Sequence, residues 1–335
     1  MTTLVVLVIA MALLFDFLNG MNDAANSIAT VVSTRVLSPL QAVAWAAFFN
    51  FVAAFGFGTE VANAIAKIVS ADVVTVPMVL AALAGAIFWT HVCTKAGLPI
   101  SVSHSLIGGV VGAALAKEGI GPGYAALHHA KLREVAAFIV ISPLAGLLGG
   151  YLMMVALYWA FRNASRQRVR GIFRVGQLFS SAAFSLSHGL SDAQKTMGIM
   201  VLALVAGGML PRDVKEVPQW VILSAHGAIA LGTLAGGWKV IHMMGTRLTR
   251  LQPAGGFCAE TSGAVVCIGT AMAGIPVSTT HTITGSIMGV GSAQRLGAVR
   301  WQVAGKILWA WVLTIPCSAA VGALVWWGLA SVSGI

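Results

Sequence analysis

Stretches long and apolar enough to cross a bilayer recur along the whole chain, for instance VPMVLAALAGAIFWTHVCT at 76–94 and VPQWVILSAHGAIALGTLAGG at 217–237. In hydrocarbon every backbone N–H and C=O must find its partner inside the protein, so such runs are expected to be helices. Only 9% of the 335 residues are charged and 58% are hydrophobic, against about 25% charged in a soluble domain. The expected fold class is an all-α polytopic membrane protein. Cys93, Cys258, Cys267 and Cys317 lie in or beside apolar segments without metal-ligand spacing. They read as free, buried side chains rather than a disulfide framework.

A net charge of +10 would point a soluble protein towards nucleic acid. Here the excess sits between apolar segments, most densely at 161–174, where Arg162, Arg166, Arg168, Arg170 and Arg174 cluster. Short Arg-rich loops mark the cytoplasmic side, so no nucleic-acid partner is expected and the 162–174 loop is placed inside. The start, MTTLVVLVIAMALL, has no basic residue and no small-residue cleavage site after it. It reads as an uncleaved first span, with the termini outside.

Directly after that apolar opening comes FDFLNGMNDAANSIATVVST at 15–34, which places Asp16, Asn19, Asn22, Asp23 and Asn26 close together. A carboxylate at the centre of a spanning helix costs roughly 2.5–3.5 kcal/mol on insertion scales, so this cluster demands a compensating role. It also has an echo. LNGMNDAANSIAT (18–30) aligns with SHGLSDAQKTMGI (187–199), pairing Gly20 with Gly189 and Asp23 with Asp192. LPISVSHSLIGGVVGAAL (98–115) aligns with IPVSTTHTITGSIMGVGS (275–292), pairing Pro99 with Pro276, Ser101 with Ser278 and His104 with His281. Between these elements each half has a span (39–58 and 217–237), a more polar helix (59–70 and 238–250) and another span (76–94 and 252–273). Each half closes on a long apolar stretch with a central proline, Pro143 or Pro316.

The chain therefore divides into a first repeat at 1–165, an Arg-rich cytoplasmic linker at 166–174 and a second repeat at 175–335. An odd number of crossings in the first half would invert the second. Inverted repeats with Gly- and Pro-broken polar segments at matching positions are the mark of secondary transporters. No P-loop, zinc-protease motif or Gly-x-Ser-x-Gly elbow is present, and no enzymatic role is expected.

The residue types suggest a division of labour. Pro99 and Pro276 suit the first turn of a helix. Behind them Ser101, Val102 and Ser103, and Ser278, Thr279 and Thr280, would offer free N–H groups and hydroxyls to an oxyanion. Ordinary capping by small residues is the alternative. Asn22, Asp23 and Asn26, with Ser191, Asp192 and Gln194, carry hard oxygens suited to a coupling cation, Na⁺ or H⁺, held at Asp23, Asn26 and Asp192. Gly20 is expected to break the first helix. Lys195 puts a fixed positive charge three residues from Asp192, where the first half has an amide, so a structural Asp–Lys pair competes with a cation there. Glu260, in AGGFCAETSGAVVC, serves either ion coupling or a buried hydrogen bond. His104 and His281 either contact substrate or protons, or pack as hydrogen-bond partners.

At these residues the chain resembles the inorganic phosphate transporter (PiT) family. GMNDAAN (20–26) and HGLSDAQK (188–195) look like its two signature motifs, LPISVSH (98–104) and IPVSTTH (275–281) like its paired phosphate-site segments, and AET (259–261) like the acidic segment before the second. The resemblance spans nearly the whole chain. It implies phosphate import by Na⁺ or H⁺ symport with no other cofactor, alternating access around a midplane site, and an inverted-repeat fold with transport and scaffold parts. It further implies a homodimer in the cell membrane, the inner membrane in a bacterium. Carried over, Asp23, Asn26, Ser101, Ser103, Asp192, Gln194, Ser278, Thr279 and Thr280 would line the substrate and ion sites, with phosphate entering free or as a metal–phosphate complex. Ser191 stands where the family usually has Asn, and Val102 where it commonly has Ser or Thr. A sulfate permease of the same fold, or an anion channel, are the alternatives.

Overall fold

The computed structural model describes residues 2–56, 61–62, 68–214, 216–275 and 277–333, and their regular structure is helical apart from one isolated bridge, Val69 with Leu127. The first half contains α1 (Thr2–Ser33), α2 (Pro39–Val52), α3 (Val76–Ala96), α4 (Val102–Glu118), the short α5 (Ile120–Ala125) and α6 (His129–Ala160). The second contains α7 (Arg166–Ala206), α8 (Gln219–Ala235), α9 (Trp238–His242), α10 (Pro253–Met272), α11 (Thr279–Gln294) and α12 (Trp301–Ser333). Helices α1, α3, α6 and α12 are each long and apolar enough to span a bilayer. A fifth candidate is α8 joined to the stretch 238–248, bent by 65° between them. The bend sits at Gly236, whose φ of +66° is a left-handed conformation that glycine adopts without steric cost.

Packing follows the duplication. α1 lies along α8 as α7 lies along α2; α3 packs on α4 as α10 packs on α11; and α1 meets α3 as α7 meets α10. The closing helices cross over between halves: α11 packs on α6 of the first half, and α4 on α12 of the second. Exchanging the halves leaves this pattern unchanged. The outer faces of α6 and α12 carry exposed Leu144, Leu148, Leu152, Trp309, Val312 and Leu324, surfaces that hydrocarbon would cover at no cost.

Several local expectations are corrected. Gly20 does not break its helix, since α1 runs unbroken from Thr2 to Ser33. Glycine is needed there for close approach instead: a Cβ on Gly20 would fall 2.1 Å from the Ile229 carbonyl oxygen, and one on Gly232 would fall 1.9 Å from that of Phe17. Residues 166–174 are the first turns of α7 rather than a loop, capped by Ser165, whose side chain accepts from the Arg168 N–H at 3.3 Å. The arginines ride an exposed helical face, and the link between the halves shortens to 161–165. The segment expected as a span at 39–58 is a shorter apolar helix ending at Phe55. Pro99 stands three residues ahead of α4, not in its first turn. Pro276 and most of the polar helix expected at 59–70 lie outside the described residues.

The α1–α8 crossing gives a paired prediction within one helix. Gly232→Val forces a side chain into the Phe17 backbone, where overpacking costs about 1–3 kcal/mol or more. Gly227→Ala meets open space and replaces a poor helix former. Melting of the detergent-purified protein should therefore fall sharply for the first and stay level or rise for the second.

Candidate ion and anion site

The sequence IPVSTTH starts a helix in the protein interior. Ser278 caps α11 by accepting the His281 N–H at 3.2 Å, and Ser101 caps α4 by accepting the His104 N–H at 3.3 Å. Each cap uses one hydroxyl and leaves the next side chains facing inward. The middles of α1 and α7 pass beside these two starts. Asp23, Asn26, Ser103, His188, Asp192, Lys195, Thr279 and Thr280 converge there, none more than 5% exposed.

The hydroxyl of Thr280 donates to Asp23 at 3.2 Å and accepts from the Asn26 amide at 3.0 Å. Thr279 lies between the two acids, its hydroxyl 3.5 Å from Asp23 Oδ2 and 3.3 Å from Asp192 Oδ2. Lys195 donates to Asp192 at 2.6 Å, to the Ser103 hydroxyl at 2.5 Å and to the Val277 carbonyl at 2.9 Å. The Asp–Lys pair expected from the i, i+3 spacing is thus made. With both carboxylates ionised and the ammonium between helices α4 and α11, the group carries one net negative charge.

His188 was not anticipated from the sequence. Its Nε2 lies 3.3 Å from Asp192 Oδ2 and 3.7 Å from Asp23 Oδ2, and its Nδ1 lies 3.2 Å from Asn50 Oδ1. The Asn50 amide donates to Thr233 at 2.9 Å, which leaves its oxygen to accept from Nδ1–H. The ring so held turns Nε2 towards both acids, where a proton on it would pair with them and its lone pair would take a cation. Asp23, His188 and Asp192 each offer a ligand atom, all within 4.8 Å of one another. The signal available in the sequence was position: His188 lies four residues before Asp192, on the same helical face.

Other expected residues sit elsewhere. Gln194 accepts from the Val61 and Ala62 backbone N–H groups at 2.9 and 3.4 Å. Asn22 donates to Thr94 at 2.8 Å. Ser191 and Val102 are buried beside their neighbours in the cluster. His104 and His281 face each other at 5.0 Å between ring centres, and His281 stacks on Trp311 at 3.7 Å. Glu260 belongs to a separate buried network, accepting from Thr30 at 2.5 Å, Gln177 at 3.0 Å and Ser180 at 2.5 Å. All four cysteines are free.

The sequence profile of the phosphate transporter family (PHO4) matches residues 19–168 and 160–322, taking in every residue of the cluster. The chain belongs to that family. It is 50% identical, over 96% of its length and 95% of the relative's, to a probable low-affinity inorganic phosphate transporter of Rhizobium meliloti (strain 1021). It is 37% identical, over 96% of each, to a protein of Bacillus subtilis (strain 168) described in the same words. Among solved structures, one described as the sodium-dependent phosphate transporter superposes with a TM-score of 0.88 at 27% identity, covering 98% of this chain and 99% of that one. As a member of a transporter family the chain is not an enzyme. The acid-bearing elements and capped helix starts that converge in space, His188 with them, all lie within the stretches that the family profile matches.

Glu260 gives the test of its own network. Glu260→Gln turns one acceptor into a donor facing hydroxyls or an amide that already donate, and a buried polar group left unsatisfied costs about 1–3 kcal/mol. A fall in melting temperature of the purified protein is expected; an unchanged value would mean that the carboxylate does not hold Thr30, Gln177 and Ser180 together.

Proposed function

We propose that the chain is a secondary active transporter that imports inorganic phosphate together with a cation, by alternating exposure of the cluster between α1, α4, α7 and α11. The reading rests on the family, on the sodium dependence named for the structural neighbour, and above all on the meeting of two carboxylates with two capped helix starts. The helix starts supply backbone N–H groups and the hydroxyls of Ser103, Thr279 and Thr280 for a tetrahedral oxyanion. Asp23 and Asp192 repel that same anion. Two like unit charges about 4 Å apart repel by roughly 4 kcal/mol at an effective dielectric of 20, worth about three decades in affinity. Phosphate is therefore held well only when a Na⁺ ion or proton sits between it and Asp23. That requirement is the physical content of coupling.

Alternation of access follows if the two helix starts move against α1 and α7. The cytoplasmic side is assigned to the arginines of 162–174, and the two halves, 1–165 and 175–335, are read as inverted repeats on the strength of their matched motifs and contacts. Residues 166–174 join them as part of α7.

Purified protein in sealed vesicles should accumulate phosphate against its own gradient when a Na⁺ or H⁺ gradient is imposed, and lose that accumulation when an ionophore collapses it. Phosphate that equilibrates but never accumulates would identify a channel; accumulation of sulfate without phosphate would identify a sulfate permease. Asp23→Asn and Asp192→Asn should fail in different ways. The first removes the cation's charged ligand from a folded protein, so uptake no longer responds to the cation gradient. The second strands a buried ammonium, a loss of about 3–5 kcal/mol, and should lower the yield of folded protein before uptake is measured.

A further inference from the structure

The two halves build two composite sites, and these are not equivalent. In the first, Asp23 and Asn26 of α1 meet Thr279 and Thr280 at the start of α11, and Asn22, next to Asp23 in the chain, is anchored to Thr94. In the second, Lys195 of α7 joins Asp192 to Ser103 at the start of α4, with Ser191 and Val102 buried next to them in the chain. The repeat alignment makes the contacts correspond: Asn26 donates to Thr280 at 3.0 Å, and Lys195, its counterpart, donates to Ser103, the counterpart of Thr280, at 2.5 Å.

The first site keeps oxygens in reserve. Asn22 Oδ1 and Asn26 Oδ1 are buried without a hydrogen-bond partner among the described residues, although both side chains are anchored through their amide nitrogens. Two buried amide oxygens, a carboxylate and two hydroxyls form a hard ligand set for a monovalent cation. The second site keeps only one such oxygen, the Ser191 hydroxyl, buried without a partner among the described residues. Val102 replaces the hydroxyl of Thr279, Ser191 shortens the amide of Asn22, and Lys195 replaces the amide of Asn26. Its ammonium is 1% exposed and bonds a carboxylate, a hydroxyl and a backbone carbonyl beside a helix start. Those are ligands that a Na⁺ ion would choose.

We propose that the Lys195 ammonium is a tethered replacement for one coupling cation. It fills the second of two related cation sites, and the first, built on Asp23, Asn22 and Asn26, is the one of the pair that exchanges its cation. This rests on the symport reading above and adds a stoichiometric consequence. A tethered charge helps to hold the anion but cannot be released with it, so it drives no accumulation. Each co-transported cation multiplies the attainable phosphate gradient by its own, and the chain forgoes one such factor.

The experiment is Lys195→Asn, which restores the amide of the first half. Wild-type and variant protein in proteoliposomes are compared for positive charges moved per phosphate, from transport currents normalised to labelled phosphate uptake, a measure that holds for Na⁺ and H⁺ alike. The variant is expected to move one more charge per phosphate and to show a steeper cation dependence. An unchanged ratio overturns the proposal and makes Lys195 a structural partner of Asp192 alone. If the variant does not transport, its melting temperature is followed in sodium chloride against choline chloride and at neutral against acid pH. A stabilisation by sodium or acid larger than the wild type's supports a newly opened cation site, and one no larger overturns it. Wild-type phosphate uptake indifferent to every cation would refute the symport reading itself, and is established before the variant is tested.

Discussion

Two buried carboxylates share one hydroxyl and one imidazole, and the rest of the structure answers to that arrangement. Thr279 lies 3.5 Å from Asp23 and 3.3 Å from Asp192, and His188 Nε2 is within 3.7 Å of both. Two such charges in a low-dielectric interior are tolerable only with nearby positive charge and donors. Lys195 supplies the charge, Thr279 and Thr280 supply hydroxyl donors, and the partial positive ends of α4 and α11 point at the same place. One compensation is permanent and covalently attached. With His188 neutral, one negative charge remains, which a proton on the imidazole or an exchangeable cation would neutralise.

Bringing four helices together around that charge requires backbones closer than ordinary side chains allow. Gly20 and Gly232 let α1 and α8 touch, and Gly189 does the same for α7 against Asn50 of α2, whose backbone oxygen would lie 2.5 Å from an added Cβ. That last contact also has a chemical consequence. It brings Asn50 against α7, where its side chain orients His188 from behind while bonding Thr233 in front. The glycines of the motifs thus act through helix packing on the protonation and direction of a ring that faces the acids.

These distinctions explain what could be read from the sequence. The long apolar spans at the start, at 76–94 and around Pro143 and Pro316, the capping by Ser101 and Ser278 weighed as the alternative, and the Asp192–Lys195 pair follow from composition, spacing and helical periodicity. The structure has them, whereas the span expected at 39–58 is a shorter helix. Gly20 misled because a glycine in an apolar helix signals equally a break or a close crossing, and only a partner helix decides between them. The Arg-rich stretch was read as loop because charge density resembles a linker, yet arginine is a good helix former and Ser165 is a good cap. Glu260 and His188 exchanged importance for a tertiary reason. The donors of Glu260 come from α1 and α7 at positions no local pattern joins to it, whereas His188 gains its place from Asn50, 138 positions earlier in the chain.

The crossed packing also limits which parts can move. α3, α4 and α12 form one packed group, α6 and α11 another, and α1, α2, α7 and α8 a third between them, with α10 joining α11 and α6 to α7. The halves of the sequence therefore cannot separate as units, because each contributes helices to both outer groups. α10 packs extensively along α7 and α3 along α1, while the two outer groups meet each other through His104, His281 and Trp311. Trp311 is itself tied to the group that holds α4, donating to the Pro99 carbonyl at 3.0 Å. On the alternating-access reading proposed above, opening the cluster to either face would part the His281–Trp311 stack or slide a helix start past Asp23 or Lys195. The second movement breaks the contacts that a bound cation and anion would replace, so occupancy of the site and the position of the helix starts are linked through the same few side chains.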